Sequence, residues 1–252
     1  MSEDFGVEGR GAFYDGVGAI RDVLQNHLLQ VLALIAMEPP ADLSSQNMED
    51  EKLKVFRAIP QLHPDSVVRG QYVGFLDEAG VAAGSTTETY AAAVVHIDNW
   101  RWSGVPFYLR TGKALAETTL EVIVEFKQPP RMLFAETQVG SPNLLRFRLG
   151  KGDGVDIELQ AKSPGDSLKT EPVKLTVEFS AALGERQEAY ERLLRAAIAG
   201  DHKRFTRIDS VLETWRIVEK VINNEPHLFP YFKGSWGPER AEELTPNGWL
   251  EL

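Results

Sequence analysis

The chain has 252 residues, of which 43% are hydrophobic and 25% charged, enough for one large domain or at most two small ones with an ample core. Its formal net charge of -10 argues against nucleic acid as a partner, because phosphates select basic surfaces. The absence of cysteine excludes disulfides, thiolate catalysis and cysteine-based zinc sites, and it fits the reducing cytoplasm, where we expect the protein. The longest apolar stretch is too short to span a bilayer, and no signal peptide is recognisable, so we expect no membrane partner.

The first strong pattern in the chain is a helix. A glycine-rich stretch at residues 9–19 leads into residues 21–37, where apolar side chains recur at the helical period. Residues 28–37 are apolar except for Gln30, so we expect this half of the helix to be buried nearly all round.

This helix also carries a row of polar side chains. Asp22, Asn26 and Gln30 stand at spacings of four residues, and His27 lies at the border of the row. Each unpaired buried polar group costs about 1–3 kcal/mol, so a packed hydrogen-bond network or a bound polar ligand must satisfy the row. The pattern alone leaves both explanations open, and it makes this helix a candidate site.

The rest of the chain predicts a second helix, a series of strands and two final helices. Pro39 and Pro40 end the first helix, since a helix does not readily continue through proline, and the next helix is predicted at 48–59. Two helices close the chain at 184–199 and 209–223, the latter capped by Asp209. Between them the period changes towards two, and seven segments are predicted as strands: 71–75, 89–97, 105–110, 120–126, 144–149, 155–161 and 173–179.

Successive strands joined by turns rather than by helices pair antiparallel. The sequence therefore predicts an α+β fold, a large open antiparallel sheet with helices packed on one face, in a single domain over residues 1–252. No G-x-G-x-x-G follows a strand, and no βαβ succession could hold one, so we expect the coenzyme-binding Rossmann domain to be absent from this chain. The histidines do not have the spacing of metal ligands, and we expect no metal site.

Several stretches of the chain resemble one family in the same order. They are EGRGAFYDGVGAIRDVLQNHLLQVLALIAMEPP at 8–40, VVRGQYVG at 67–74, TTETYAAAVVHIDNWRWSGVPFYLRTGKAL at 86–115, TRIDSVLETWRIVEKVI at 206–222 and PYFKGSWGPERAEEL at 230–244. This combination resembles the C-terminal, substrate-binding and oligomerisation domain of the glucose-6-phosphate dehydrogenase family. The most distinctive part is the arrangement RD, three residues, then NHLLQ.

The resemblance implies an activity and four site residues. The family transfers a hydride from glucose 6-phosphate to NADP and forms 6-phosphogluconolactone. The histidine of its NHL motif, here His27, takes up the hydroxyl proton, and imidazole suits a general base near neutral pH. Glu3, Asp22 and Lys113 match family positions that contact the sugar phosphate. By residue type alone, Glu3 would be a frayed terminus and Lys113 a solvent-facing residue.

The chain departs from the family pattern at three places. Asp4 stands where the family usually has proline, Glu117 and Thr118 stand where it often has a second basic residue, and Gly150 stands where it has a glutamine. The carboxylate that orients the histidine belongs to an upstream D-H-Y-L-G-K-E segment that this chain lacks. These departures predict a lower affinity for the sugar and the same reaction.

The resemblance also implies what the chain does by itself. The coenzyme domain of the family lies ahead of this region, so we expect residues 1–252, as a fragment or a truncated product, to be inactive alone. In the complete enzyme the cofactor is NADP, the ligand glucose 6-phosphate, and the assembly a homo-oligomer formed through the sheet. The alternative is a non-catalytic module that binds a sugar phosphate or assembles subunits.

Overall fold

The computed structural model describes residues 1–128, 142–150, 152–166, 169–184, 189–201, 205–224 and 227–250. By their internal contacts the residues group into two compact units, one formed by Met1–Thr118 with Tyr190–Leu252 and the other by Thr119–Ala189. The sequence predicted a single domain over residues 1–252, and this division into compact units does not test that prediction. Within the described ranges no helix is long and apolar enough to cross a membrane. Nor do these ranges contain a group of three or more His, Asp or Glu that could hold a metal ion.

The described residues contain the following main elements. The helices are α1 (Gly11–Ala19), a π-helix (Ile20–Leu28), α2 (Leu29–Ala36), α3 (Ser45–Ala58), α4 (Phe179–Leu183), α5 (Ala189–Ala199) and α6 (Ile208–Asn223). The strands are β1 (Val67–Tyr72), β2 (Tyr90–His96), β3 (Pro106–Gly112), β4 (Glu121–Glu125), β5 (Leu144–Arg148), β6 (Gly154–Lys162), β7 (Thr170–Glu178) and β8 (Leu228–Tyr231).

The sheet of the first unit has the order β3-β2-β1-β8. β2 is antiparallel to both β1 and β3, and Ala92 pairs with Val68 on one side and with Arg110 on the other. β8 is parallel to β1. The sequence pattern missed β8, which has only four residues including Pro230, and it placed the first strand at 71–75 instead of Val67–Tyr72.

The sheet of the second unit has the order β4-β5-β6-β7 and is antiparallel throughout. The α+β class and the mainly antiparallel pairing are thus confirmed, but the strands form two sheets of four and not one large sheet. The physical reason is that alternation of apolar and polar residues identifies a strand without identifying its neighbour. β4 follows β3 along the chain, yet it pairs with β5.

The core of the first unit lies on both faces of its sheet. Alternate residues of β2 point to opposite faces, and its alanines are small enough for close packing. On one face Ala91, Ala93 and Val95 pack against the helices, whose buried members include Leu24, Leu29, Leu32, Phe56 and Ile217. On the other face the cluster comprises Val7, Tyr14, Val68, Tyr72, Phe75, Tyr90, Ala92, Ala114, Leu115, Tyr231 and Ala241.

Two expectations about the helices are wrong. Leu34 and Ile35 are 51% and 37% exposed, so α2 is buried on one face and not nearly all round. α6 begins after Arg207, whose extended backbone makes it the N-cap residue, and Asp209 lies within the first turn. Hydrogen bonds from the Arg207 guanidinium are the main reason that the pKa of Asp209 lies below its usual value.

Candidate functional site

The helix that carries Asp22 and His27 is a π-helix over this stretch. Its hydrogen bonds join residues five apart, as in the bond from the Leu29 N–H to the Leu24 carbonyl. In an α-helix, residues five apart are separated by about 140° around the axis. In a π-helix, residues five apart are the ones whose main-chain groups are hydrogen-bonded, so Asp22 and His27 lie about one turn apart along the helix. π-helical turns occur frequently at functional sites.

The π-helix follows an interruption of the helical backbone conformation at Gly18. Gly18 has φ 71° and ψ 171°, a backbone conformation that is essentially restricted to glycine. The next two N–H groups have no partner within the helix and are bound by Glu88. The Ala19 N–H donates to the Glu88 carbonyl at 3.0 Å, and the Ile20 N–H donates to its carboxylate Oε1 at 2.9 Å.

Replacement of Gly18 by alanine is expected to destabilise the protein. A Cβ atom there would lie 2.6 Å from Glu88 Oε1, and the backbone strain adds about 1–3 kcal/mol, so we expect Gly18→Ala to lower the free energy of unfolding by about 3 kcal/mol. Gly16→Ala is the matched control, because Gly16 lies in α1 and a Cβ atom there would meet no neighbouring part of the chain within 4 Å. The control should be neutral or stabilising by about 1 kcal/mol. Thermal unfolding of both variants measures the difference, and equal stabilities would contradict it.

His27 is exposed, whereas its neighbours Leu24 and Leu28 are buried. Its Nε2 lies 3.5 Å from the Asn26 side-chain nitrogen, and Asp22 is half-buried. The imidazole is therefore open to an incoming molecule, as a base for an external hydroxyl must be.

The polar row predicted on this helix is only partly buried. Asn26 is exposed, and the buried polar residue is Gln25, whose amide donates to Thr214 Oγ1 of α6 at 2.8 Å. The Oε1 atom of Gln30 is buried without a hydrogen-bond partner. The α-helical spacing missed Gln25 because the π-helix changes which residues share a face.

Lys113 and Glu3 form an ion pair at the end of β3, and the Lys113 side chain is only 5% exposed. The N-terminal segment is held along this strand end by main-chain hydrogen bonds. The Glu3 N–H donates to the Gly112 carbonyl at 3.1 Å, and the Leu115 N–H donates to the Glu3 carbonyl at 2.9 Å. Glu3 is therefore not a frayed terminus, and Lys113 is not a solvent-facing lysine.

A buried tyrosine links this ion pair to the π-helix. The Lys113 ammonium lies 5.6 Å from the centre of the Tyr14 ring. Burial is the main reason that the pKa of the Tyr14 hydroxyl lies well above its usual value. The carboxylates of Glu88, Asp22 and Glu3 raise this pKa further, because negative charges nearby disfavour the phenolate. Both predicted sugar-binding carboxylates thus act on the same side chain.

Of the four predicted residues, the structure brings two into direct contact. Glu3 and Lys113 are in contact. Asp22 acts electrostatically on the tyrosine beside them. His27 lies on the same π-helix, five residues after Asp22.

Two of the departures from the family pattern contact each other. The Asp4 N–H donates to Thr118 Oγ1 at 2.9 Å, and the Thr118 hydroxyl donates to the Asp4 carboxylate. A proline at position 4 has no N–H to donate, so this pair requires the residue that replaced it.

The comparisons with known proteins agree with the resemblance. Residues 1–249 match the family model described as "Glucose-6-phosphate dehydrogenase, C-terminal domain". The chain belongs to this family. Glucose-6-phosphate 1-dehydrogenase 1 of Mycobacterium tuberculosis (strain CDC 1551 / Oshkosh) is 46% identical over 99% of this chain and 53% of its own length. Glucose-6-phosphate 1-dehydrogenase of Dictyostelium discoideum is 42% identical over 97% of this chain and 52% of its own length.

Solved glucose-6-phosphate dehydrogenase structures share the fold. A crystal structure of glucose-6-phosphate 1-dehydrogenase from Mycobacterium avium matches all of this chain and 55% of its own with a TM-score of 0.90 and 46% identity. A glucose-6-phosphate dehydrogenase in complex with its substrate glucose 6-phosphate also matches all of this chain and 55% of its own, with a TM-score of 0.89 and 33% identity. This chain spans about half the length of the relatives that it matches.

Proposed function

We propose that the chain is the substrate-binding domain of a glucose-6-phosphate 1-dehydrogenase, an oxidoreductase of the oxidative pentose phosphate pathway. The complete enzyme oxidises glucose 6-phosphate to 6-phosphogluconolactone with NADP. The observation that carries this proposal is the ion pair of Glu3 with the almost wholly buried Lys113, in a member of this family. Carboxylates accept hydrogen bonds from sugar hydroxyls and the buried ammonium donates to a substrate oxygen, a combination that suits a polyhydroxylated ligand.

Each of the four residues has a role that its chemistry allows. Glu3 and Asp22 accept hydrogen bonds from sugar hydroxyls, because carboxylates are acceptors. The Lys113 ammonium has three donors, so it can bind a substrate oxygen while it stays with Glu3. His27, whose side chain is exposed, takes up the proton of the hydroxyl that is oxidised.

The described residues do not form a dinucleotide-binding fold. Their strands are antiparallel apart from the single parallel pair of β1 and β8, and no βαβ unit is present in the described ranges. The complete sequence also lacks a G-x-G-x-x-G fingerprint. NADP is therefore proposed as a cofactor of the complete enzyme, and a polypeptide of residues 1–252 should not reduce NADP by itself.

Because the chain has no cysteine, we propose the reducing cytoplasm as its location.

Lys113→Met tests the sugar-phosphate site in the complete enzyme. Loss of one charge-assisted hydrogen bond costs about 1.5–3 kcal/mol, so the KM for glucose 6-phosphate should rise by about 10- to 100-fold. Lys54→Met is the matched control, because Lys54 is an exposed lysine paired with Glu51 on α3. Steady-state kinetics at saturating NADP measure both variants. A KM for Lys113→Met equal to that of the control would reject the site.

We also propose that the complete protein is a homo-oligomer assembled through the second sheet. Val173, Leu175 and Val177 are alternate residues of β7 and therefore share one face, on which each is about half exposed. Leu159 pairs with Val173 in the neighbouring strand and is exposed as well. A contiguous exposed apolar patch on a sheet indicates an interaction surface.

Leu175→Glu tests this assembly, because it places a charge in the centre of the apolar patch. We expect light scattering coupled to size exclusion to show a smaller species than for the parent protein. Glu171→Gln, an exposed change near the start of the same strand, is the control and should leave the mass unchanged. An unchanged mass for Leu175→Glu would refute assembly through this face.

A further inference from the structure

Arg69 of β1 and Glu88 form an ion pair that is almost wholly buried, with 5% and 3% of their side chains exposed. The Arg69 Nη2 and Nε atoms lie 2.9 and 3.3 Å from Glu88 Oε2. Nη2 also donates to the Thr86 carbonyl at 2.8 Å. The guanidinium therefore fixes both the carboxylate and the main chain that leads to it.

The second oxygen of this carboxylate is bound to the helix of the candidate site. Glu88 Oε1 accepts the Ile20 N–H at 2.9 Å, the first N–H of the π-helix. The Glu88 carbonyl accepts the preceding Ala19 N–H at 3.0 Å. One residue thus supplies both acceptors for the start of the helix, where N–H groups lack helical partners and a negative charge is favourable.

This arrangement places two fixed acceptors close to the proposed chemistry. Asp22 lies two residues after Ile20, in the first turn of the helix, and His27 follows one π turn later. A buried ion pair contributes little net stability compared with apolar residues of similar volume. Its hydrogen bonds do fix geometry, and a displacement of about 1 Å at a reacting group can lower a rate by about 100-fold.

We propose that Glu88 is a positioning residue of the proposed dehydrogenase. Through its acceptor oxygen it holds the first turn of the π-helix, and thereby sets where Asp22 and His27 stand, while Arg69 holds the carboxylate in place. This inference rests on the proposed function. Glu88 is bonded directly to the helix that carries Asp22 and His27, whereas Lys113 is bonded to the neighbouring residue, its N–H donating to the Thr89 carbonyl at 2.9 Å.

Two double variants of the complete enzyme isolate the acceptor. Arg69→Met with Glu88→Gln keeps an oxygen for the Ile20 N–H, whereas Arg69→Met with Glu88→Met does not. The two share net charge and have similar side-chain volume. We expect kcat of the Met variant to be at least about tenfold below that of the Gln variant, because His27 is displaced, and KM for glucose 6-phosphate to rise with it, because Asp22 is displaced as well. A purely structural role would change melting temperatures without this difference in kcat. Equal kcat values would overturn the proposal.

Glu88→Asp is the second variant, and it keeps the charge next to Arg69. Its side chain is one methylene shorter and cannot reach both Arg69 and the Ile20 N–H, so kcat should again fall at least about tenfold. A kcat within about threefold of the parent value would overturn the positioning role. Hydrogen exchange of the Ile20 amide, faster in Glu88→Asp than in the parent, reports the loss of the same bond.

Failure of this inference can be told from failure of the proposed function. If His27→Asn leaves turnover unchanged, the proposed function is wrong and so is this inference. If His27→Asn lowers turnover but the two double variants have equal kcat, only the positioning role of Glu88 is wrong.

Discussion

His27→Asn in the complete enzyme proposed above is expected to lower kcat by at least about 100-fold, because the general base that we propose His27 to be contributes about 10²- to 10⁴-fold in rate. Asparagine is similar in size and can accept a hydrogen bond, but it cannot take up a proton at neutral pH. The ring lies at the surface, so its removal should not disturb the buried faces of the π-helix. Initial rates of NADP reduction at saturating glucose 6-phosphate measure the effect.

His96→Asn is the matched control for this measurement. His96 is also exposed, at the end of β2, and carries no proposed role. Its kcat should stay within about twofold of the parent value. A substitution at an exposed position without a proposed role changes stability by only about 0.5 kcal/mol, so the fold should be unaffected. The alternative of a non-catalytic module predicts that His27→Asn behaves like the control. That outcome would remove His27 from the catalytic assignment while leaving the family relationship intact.

The fold could be predicted to the level of its class and most of its elements. The strands at 89–97, 144–149 and 155–161 correspond to β2, β5 and β6 within a few residues, because alternation is a local signal. The partition into two sheets and the pairing of β8 with β1 could not be predicted. Leu228 and its partner Arg69 are far apart in sequence, and no local pattern records such a pairing.

The candidate site shows the same limit. The pattern placed Asp22 and His27 on one helix, but it could not show that the helix is a π-helix over residues 20–28. The first N–H of this helix is bound by Glu88, whose carboxylate reaches Ile20 from 68 residues away. The roles of Glu3 and Lys113 came from the family resemblance, since their residue types alone favoured solvent-exposed positions.

Besides Gln25, three side chains at the candidate site were not predicted, and two of these three could have been found from the sequence. Arg69 and Glu88 are charged residues within or beside apolar strand segments, in VVRGQY and TTETYAAA. Charged residues are almost never fully buried unless they are paired, so two of opposite sign in neighbouring strands predict a buried pair. Tyr14 carried no such signal, because tyrosine is common in cores and its charged neighbours come from distant segments.

Arg69→Met alone is expected to be among the most destabilising single substitutions in the first unit. It leaves the Glu88 carboxylate buried without its cation, and removal of one partner of a buried pair costs about 3–5 kcal/mol. For a chain of this size the loss corresponds to roughly 10 °C in melting temperature. The double change Arg69→Met with Glu88→Gln should recover most of it, because no charge is then left buried.

Arg101→Met is the matched control, since Arg101 also donates to a glutamate from its Nε and Nη2 atoms, but in solvent. Its Nε and Nη2 atoms donate to the Glu38 carboxylate at 2.6 and 2.8 Å, with both side chains more than half exposed. Water screens this pair and can solvate Glu38 when the arginine is removed, so its melting temperature should change far less. If Arg69→Met and Arg101→Met have the same melting temperature, another group compensates the buried charge of the Glu88 carboxylate. The Arg69 guanidinium is then not what holds this carboxylate against the π-helix.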